Sequence, residues 1–248
     1  KTETNYCSFF QEETGCSLEY VCDGDKEPLK DIFSEDLKLP ESLGIYLEDL
    51  LEEWEDVRQG AQVTVGTLMS QYYSRNETLC VPVLEISDAE EKPQIGGFCV
   101  LFGLQPMGEL SLREGEQLML LQNNLKRYAF TMQNGTRFLL EQVQTEREIT
   151  AAVDEAGNQY PVLTVTVRGN STVSALSWDA DQEDQRQQGK QELADRLLTF
   201  LTTQQKEAGM DLANSFLLLA GQERSLWEQY REEPAQYLSD LKIRLFVE

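Results

Sequence analysis

Residues 95–124, IGGFCVLFGLQPMGELSLREGEQLMLLQNN, constrain the fold more than any other stretch of the chain. Residues 98–104 are an apolar run rich in β-formers, and Gln105-Pro106-Met107-Gly108 places proline and glycine where a chain reversal needs them. A second short strand is expected next. Ser111 followed by Glu114 has capping-box spacing, and the apolar residues from Leu118 to Leu121 lie just beyond, which predicts a helix start. No catalytic motif lies within this strand, reversal, strand and capped helix. The polar segment before it, SDAEEKP, ends in proline at Pro93 and predicts a domain boundary at about residue 94. Two domains are therefore expected, a smaller α+β one over residues 1–94 and a larger one over 95–248.

The first of these opens on a short strand at residues 17–22, closed by the turn residues Asp23-Gly24-Asp25. Pro28 suits the first turn of a short helix. In residues 40–54, Leu43, Leu47, Leu50, Leu51 and Trp54 share one helical face and carboxylates fill the rest. Residues 63–73 place Leu68, Met69 and Tyr72 at helical spacing. Residues 79–86 read as a strand whose Pro82 predicts an edge or a bulge.

In the second domain Tyr128, Phe130 and Met132 alternate, and Asn134-Gly135 is a strong hairpin signal. A strict two-residue loop would set Met132 against Arg137 and Phe130 against Leu139, so either the loop is longer or both sheet faces are partly buried. Glu155 to Asn158 form another turn. After it Leu163, Val165 and Val167 face one way and Thr164, Thr166 and Arg168 the other, as in a half-exposed antiparallel strand. The almost wholly polar residues 179–191 lead into a helix with Leu193, Leu197, Leu198 and Leu201 on one face, and Gly209 stands at its C′ position. A second helical piece spans residues 212–220 and ends at Gly221, and Leu226, Trp227 and Tyr230 form an apolar cluster. Leu241, Ile243, Leu245 and Val247 alternate with Lys242, Arg244 and Phe246 in a closing strand of the same sheet. Strands and helices are segregated, which predicts an α+β fold with a mainly antiparallel sheet packed against long helices.

Composition removes several classes of function. The chain has 248 residues, of which 21 are basic and 44 acidic, a formal net charge of −23. Such a surface repels phosphate backbones and anionic headgroups, so no nucleic-acid partner and no direct membrane docking are expected. There is no histidine. Ser-His-Asp and Cys-His catalysis and His-ligated metal sites are thereby excluded. The five cysteines (7, 16, 22, 80 and 99) show no zinc-like pairing, Cys99 reads as a small core residue, and a Cys16–Cys22 bridge is conceivable. No apolar run reaches the roughly 20 residues of a membrane helix, and no leader pattern opens the chain, so Lys1 reads as a mature or trimmed start. No catalytic, cofactor-binding or metal-binding residue is assigned.

The order of these elements resembles the Ger(x)C family of spore germination proteins, the C subunits of nutrient germinant receptors. Leu39-Pro40, Tyr46-Leu47, Thr67-Leu68 and Val81-Pro82-Val83 match its earlier motifs in order. Gly97, Val100, Phe102 and Gly108 match its glycine-led hairpin, followed by the glutamate and leucine run of the next helix. A long helix ending near Gln205-Lys206, Asp211 opening a short helix, a tryptophan and an alternating strand close the match. Cys99 and Leu101 depart from it, standing where alanine-like and lysine-like residues are expected. The resemblance implies a non-enzymatic receptor subunit without cofactors, working with the A and B membrane subunits on the outer face of the spore inner membrane. It marks Gln205 and Asp211 as candidate interaction residues, with helix capping and core packing as the plainer explanation. Members carry a lipid anchor on a preceding segment, so membrane association is implied for the parent lipoprotein alone. The alternative is a stand-alone extracytoplasmic module binding a small nutrient or peptide. A carboxylate-using hydrolase would need two acids facing each other at roughly 5–9.5 Å.

Overall fold

A computed structural model describes residues 45–46, 49, 78–87, 92–102, 105–174, 182–207 and 209–248. The strand expected at 17–22, the helix after Pro28, the segment 63–73 and the Cys16–Cys22 bridge lie outside the described residues. Within the helix expected over 40–54, Ile45, Tyr46 and Asp49 are described and helical. The architecture is α+β, in two compact units that divide between Gly115 and Glu116.

In the first unit, β1 (Thr78–Ser87), β2 (Lys92–Phe102) and β3 (Gln105–Ser111) form an antiparallel sheet in that order. β1 is an edge strand with a bulge just past Pro82, between Val83 and Leu84. The boundary expected at residue 94 falls inside this sheet, because Ile95 pairs with Leu84. The polar segment before it joins two paired strands and is not an interdomain linker. The expected reversal also moves, since Gln105 to Gly108 belong to β3, opposite Val100 to Phe102. Pro106, which has no N–H to give, is accommodated in an edge strand beside a bulge. Cys99 is buried and packs with Val83 and Leu101.

The helix α1 (Leu112–Leu121) starts at the expected capping box. Ser111 N–H and Oγ–H both donate to Glu114 Oε2, at 2.9 and 2.7 Å, and Glu114 N–H returns to Ser111 Oγ at 3.4 Å. Each residue thus satisfies an orphan donor of the helix start. Gly115 faces the Phe98 ring so closely that a Cβ there would stand 2.0 Å from it.

The second unit is a four-stranded sheet in the order β4 (Arg127–Thr131), β5 (Arg137–Val153), β6 (Gln159–Ser174) and β7 (Lys242–Val247). The first three strands run antiparallel, and β7 returns parallel to β6. The β4–β5 loop is longer than two residues. Met132 N–H donates to Thr136 O, Thr136 N–H donates to Asn134 Oδ1, and Gly135 sits at φ 84°. This three-residue loop with a left-handed glycine sets Phe130 opposite Phe138 and Tyr128 opposite Leu140. The apolar sets therefore agree and all four side chains are buried. The β5–β6 turn repeats the device, with Asp154 N–H donating to Asn158 O and Gly157 at φ 88°.

Among the described residues four helices complete this unit: α2 (Gln182–Glu207), α3 (Ser215–Gln222), α4 (Arg224–Tyr230) and α5 (Pro234–Asp240). α2 begins within the polar stretch expected to precede it. Its buried stripe runs through Gln185, Gly189, Leu193, Leu197, Leu201 and Gln205 at four-residue spacing, while Leu198 is half-buried. Gly209, at φ 64°, follows its end as expected. Residues 212–214 precede α3, and Gly221 lies inside it, one residue before its end.

Gly189 lets α2 lie on the sheet. A Cβ at this position would be 2.3 Å from the fully buried Phe138 ring. Gly189→Ala should gain about 1 kcal/mol of helix propensity and still destabilise the protein by about 1–3 kcal/mol through overpacking. Urea unfolding of the two proteins measures the sign.

Candidate functional site

The helical half of the second unit is built around Asp211, which precedes α3 by four residues. Its Oδ1 accepts from Ser215 N–H at 2.9 Å and Ser215 Oγ–H at 2.7 Å, and its Oδ2 accepts from Phe216 N–H at 2.7 Å. The helix start has no side-chain cap from Asn214, which stands in the left-handed region at φ 50°. Asp211 supplies that cap from one turn earlier.

Arg147 of β5 completes the cluster from below, donating Nη1–H to Ala213 O at 2.7 Å. Burial lowers the Arg147 pKa, and the charge of Asp211 opposes that shift. For Asp211 burial is the dominant influence and raises its pKa, against the pull of the three hydrogen bonds and Arg147. Ser215 and Tyr237 are fully buried beside them. Phe216 packs on Trp227 and Tyr237, with ring centroids 4.8 and 5.1 Å apart. Ser215 bonds to a carboxylate as a nucleophilic serine would, but its hydroxyl is closed to solvent. The cluster holds the start of α3 against β5.

Gln205 does similar work in the last turn of α2. Buried at 7% exposure, its Nε2 donates to Leu238 O and, at 3.4 Å, to Leu241 O. It ties the C-terminal carbonyls of α5 and the entry to β7 onto α2. The two residues singled out from the sequence therefore lie at separate junctions of one helical layer, Gln205 buried and Asp211 half-buried.

Two further features carry polar groups. Arg196 of α2 bonds to Glu192, donates to Thr131 O at 2.8 Å and lies 4.8 Å above the Phe130 ring. Glu192 accepts from Gln133 N–H at 3.0 Å, so this pair clamps the β4–β5 hairpin to the helix. On the open side of the sheet β5 carries a bulge between Glu141 and Gln144, with Gln142 at φ 54°. Beside it lies a depression of about 370 Å3 lined by Gln142, Gln144, Arg168, Gly169, Asn170 and Glu248. Arg168 holds Glu146 at 2.5 Å and Glu248 at 2.7 Å, and Asn170 donates to Gln142 Oε1 at 2.8 Å. Among the described residues no three His, Cys, Asp or Glu side chains converge as metal ligands would.

No family and no curated protein matches the sequence. The crystal structure of the GerBC protein matches the fold, with a TM-score of 0.61 at 14% identity. The fold is that of GerBC. The match covers 75% of this chain and 59% of the GerBC chain, so the chain spans less than two thirds of that protein's length. This is the Ger(x)C-like fold that the order of motifs implied. Sequence reasoning reached Gln205 and Asp211 of this GerBC-like fold through that resemblance, and missed Arg147. The signal for Arg147 was its strand parity, shared with the buried Thr145 and Ile149.

Asp211→Ala would strand the N–H groups of Ser215 and Phe216 and should cost about 1–3 kcal/mol in denaturant unfolding. The pH dependence has a definite sign. The folded Asp211 pKa lies above the ordinary value of 3.8, so within that window the folded chain binds the proton more tightly than the unfolded one. The contribution of Asp211 to stability is then fully present below 3.8 and falls as pH rises through the raised folded pKa. Subtracting the stability of Asp211→Asn from that of the unmodified protein, across acid to neutral pH, should show this downward slope.

Proposed function

We propose that this chain is part of a Ger(x)C-type C subunit of a spore nutrient germinant receptor. Its role is to support receptor assembly and germination signalling through protein–protein contacts, without catalysis. The observation that carries the reading is the GerBC fold over 75% of the chain. The cluster at Asp211 supports it, because the polar groups are used to join elements and its serine is shielded. Asp211 and Gln205 act in partner contact by positioning, the first holding α3 and the second holding α5 and the start of β7. No helix among the described residues is long and apolar enough to cross a membrane. On this reading, attachment to the outer face of the spore inner membrane comes from a lipid anchor on the parent protein, beside the A and B membrane subunits.

Co-expression of the lipidated parent protein with the A and B subunits, followed by detergent extraction and purification on the A subunit, is the direct test. Co-elution at fixed stoichiometry is expected, and Asp211→Ala in the parent should lower the recovered fraction. A parent protein that folds and never co-elutes would overturn the reading. The depression beside Arg168 favours a second reading, an extracytoplasmic module for a small nutrient. It requires a rise in melting temperature with an amino acid or a sugar, lost on Arg168→Ala.

A further inference from the structure

We propose that β7 is a self-association edge: two copies of this chain pair β7 antiparallel about Leu245 and join their four-stranded sheets. β7 ends the strand order, and among the described residues β6 alone pairs with it. Glu248 N–H donates to Val167 O at 2.9 Å. By strand alternation the even-numbered residues of β7 bond to β6, and the backbones of Ile243, Leu245 and Val247 point outward. Their side chains are half-buried on the face that carries Leu163, Val165 and Val167. Lys242, Arg244, Phe246 and Glu248 are exposed. Phe246 is 51% exposed, unusual for a phenylalanine on a four-stranded sheet with a filled core.

An open edge accepts any strand unless its side chains select one. Pairing about Leu245 sets the outward backbones of Ile243, Leu245 and Val247 against those of Val247, Leu245 and Ile243 in the second copy, as a ladder of hydrogen-bonded pairs requires. The same register places Lys242 opposite Glu248 of the second copy and Arg244 opposite Phe246, each twice by symmetry. Cation meets carboxylate, guanidinium meets ring, and no like charges face one another. Centring on Arg244 would set that residue against its own copy. Centring on Phe246 would set Arg244 opposite Glu248 but take Lys242 out of reach of that carboxylate. The charges on this edge thus favour a second copy in the Leu245 register, where Lys242 and Arg244 are both matched. The net charge of −23 repels a second copy at long range, and at about 0.15 M salt that reach shortens to ~8 Å.

Sedimentation velocity of the full chain at that ionic strength, over about 1–200 μM, should show a monomer–dimer equilibrium. Lys242→Glu should weaken it about tenfold. Glu248→Lys, which also removes a partner of Arg168, should weaken it at least as much, and adding Lys242→Glu to that variant should recover association, since the pair is then reversed. Leu245→Pro should abolish the dimer with an unchanged circular dichroism spectrum, because that N–H takes no part in pairing with β6. A chain that stays monomeric throughout overturns the proposal. So does a dimer whose affinity ignores the charge swap, which reads the register even if the proline variant fails to fold.

Discussion

The second unit depends on the register of the β5–β6 hairpin. Buried residues on β5 are even-numbered up to Leu140 and odd-numbered from Val143, while those of β6 from Leu163 to Val167 keep one parity. A straight β5 could not serve both halves. The bulge at Gln142 rotates the strand by one residue, so that Phe138, Leu140, Val143, Thr145 and Ile149 all reach the same core. Gly169 faces the bulge, where a Cβ would stand 3.0 Å from Glu141 O. The outer edge of β5 is then closed by side chains. Thr145 N–H donates to Asn123 Oδ1 and Ile149 N–H to Gln222 Oε1, at 2.8 and 2.7 Å.

Helix placement follows from that register. Once Phe138 stands on the core face, α2 can approach only where it lacks a side chain, at Gly189. The same solution serves α1 in the first unit, where Gly115 faces Phe98. Close approach in turn brings Arg196 over Phe130 and Gln205 to the carbonyls of α5. Asp211 fixes the remaining helices by capping α3 and standing near Arg147 of β5. Polar groups in this layer work as joints between elements, the half-buried carboxylate of Asp211 and guanidinium of Arg147 among them. Their cost in desolvation is offset by hydrogen bonds that apolar residues could not make to helix termini.

Legibility in the sequence tracked the range of the interaction. The capping box at Ser111 was readable because its two members are three residues apart, and the hairpin turns because Asn134-Gly135 and Gly157 announce themselves locally. Loop length was not readable from the turn alone. It needed the demand that Phe130 and Phe138 share a face, and the mismatch under a two-residue loop left a longer loop and two partly buried faces both open. Proline misled at Pro106, since a turn and an edge strand both suit a residue without an N–H. The start of α2 was hidden because Gln185 and Gly189 occupy stripe positions where periodicity looks for apolar residues. The contacts of Gln205 span 33 and 36 residues, so no local pattern could have revealed them, and only the family resemblance drew attention to that residue.

Charge is distributed unevenly between the bulk of the chain and this sheet. Acidic residues outnumber basic ones 44 to 21 overall. Strand alternation and pairing nevertheless bring Arg127, Arg137, Arg168, Lys242 and Arg244 to one face, against Glu141, Glu146 and Glu148. Arg127 and Arg168 are held by Glu141, Glu146 and Glu248, while among the described residues Arg137, Lys242 and Arg244 have no carboxylate within salt-bridge distance. A face with both signs interleaved has no concentrated field with which to capture a polyanion, and the surrounding acidity repels one. What such a face can do is recognise another protein surface by the position of its charges, on a backbone whose geometry the hairpin has already fixed.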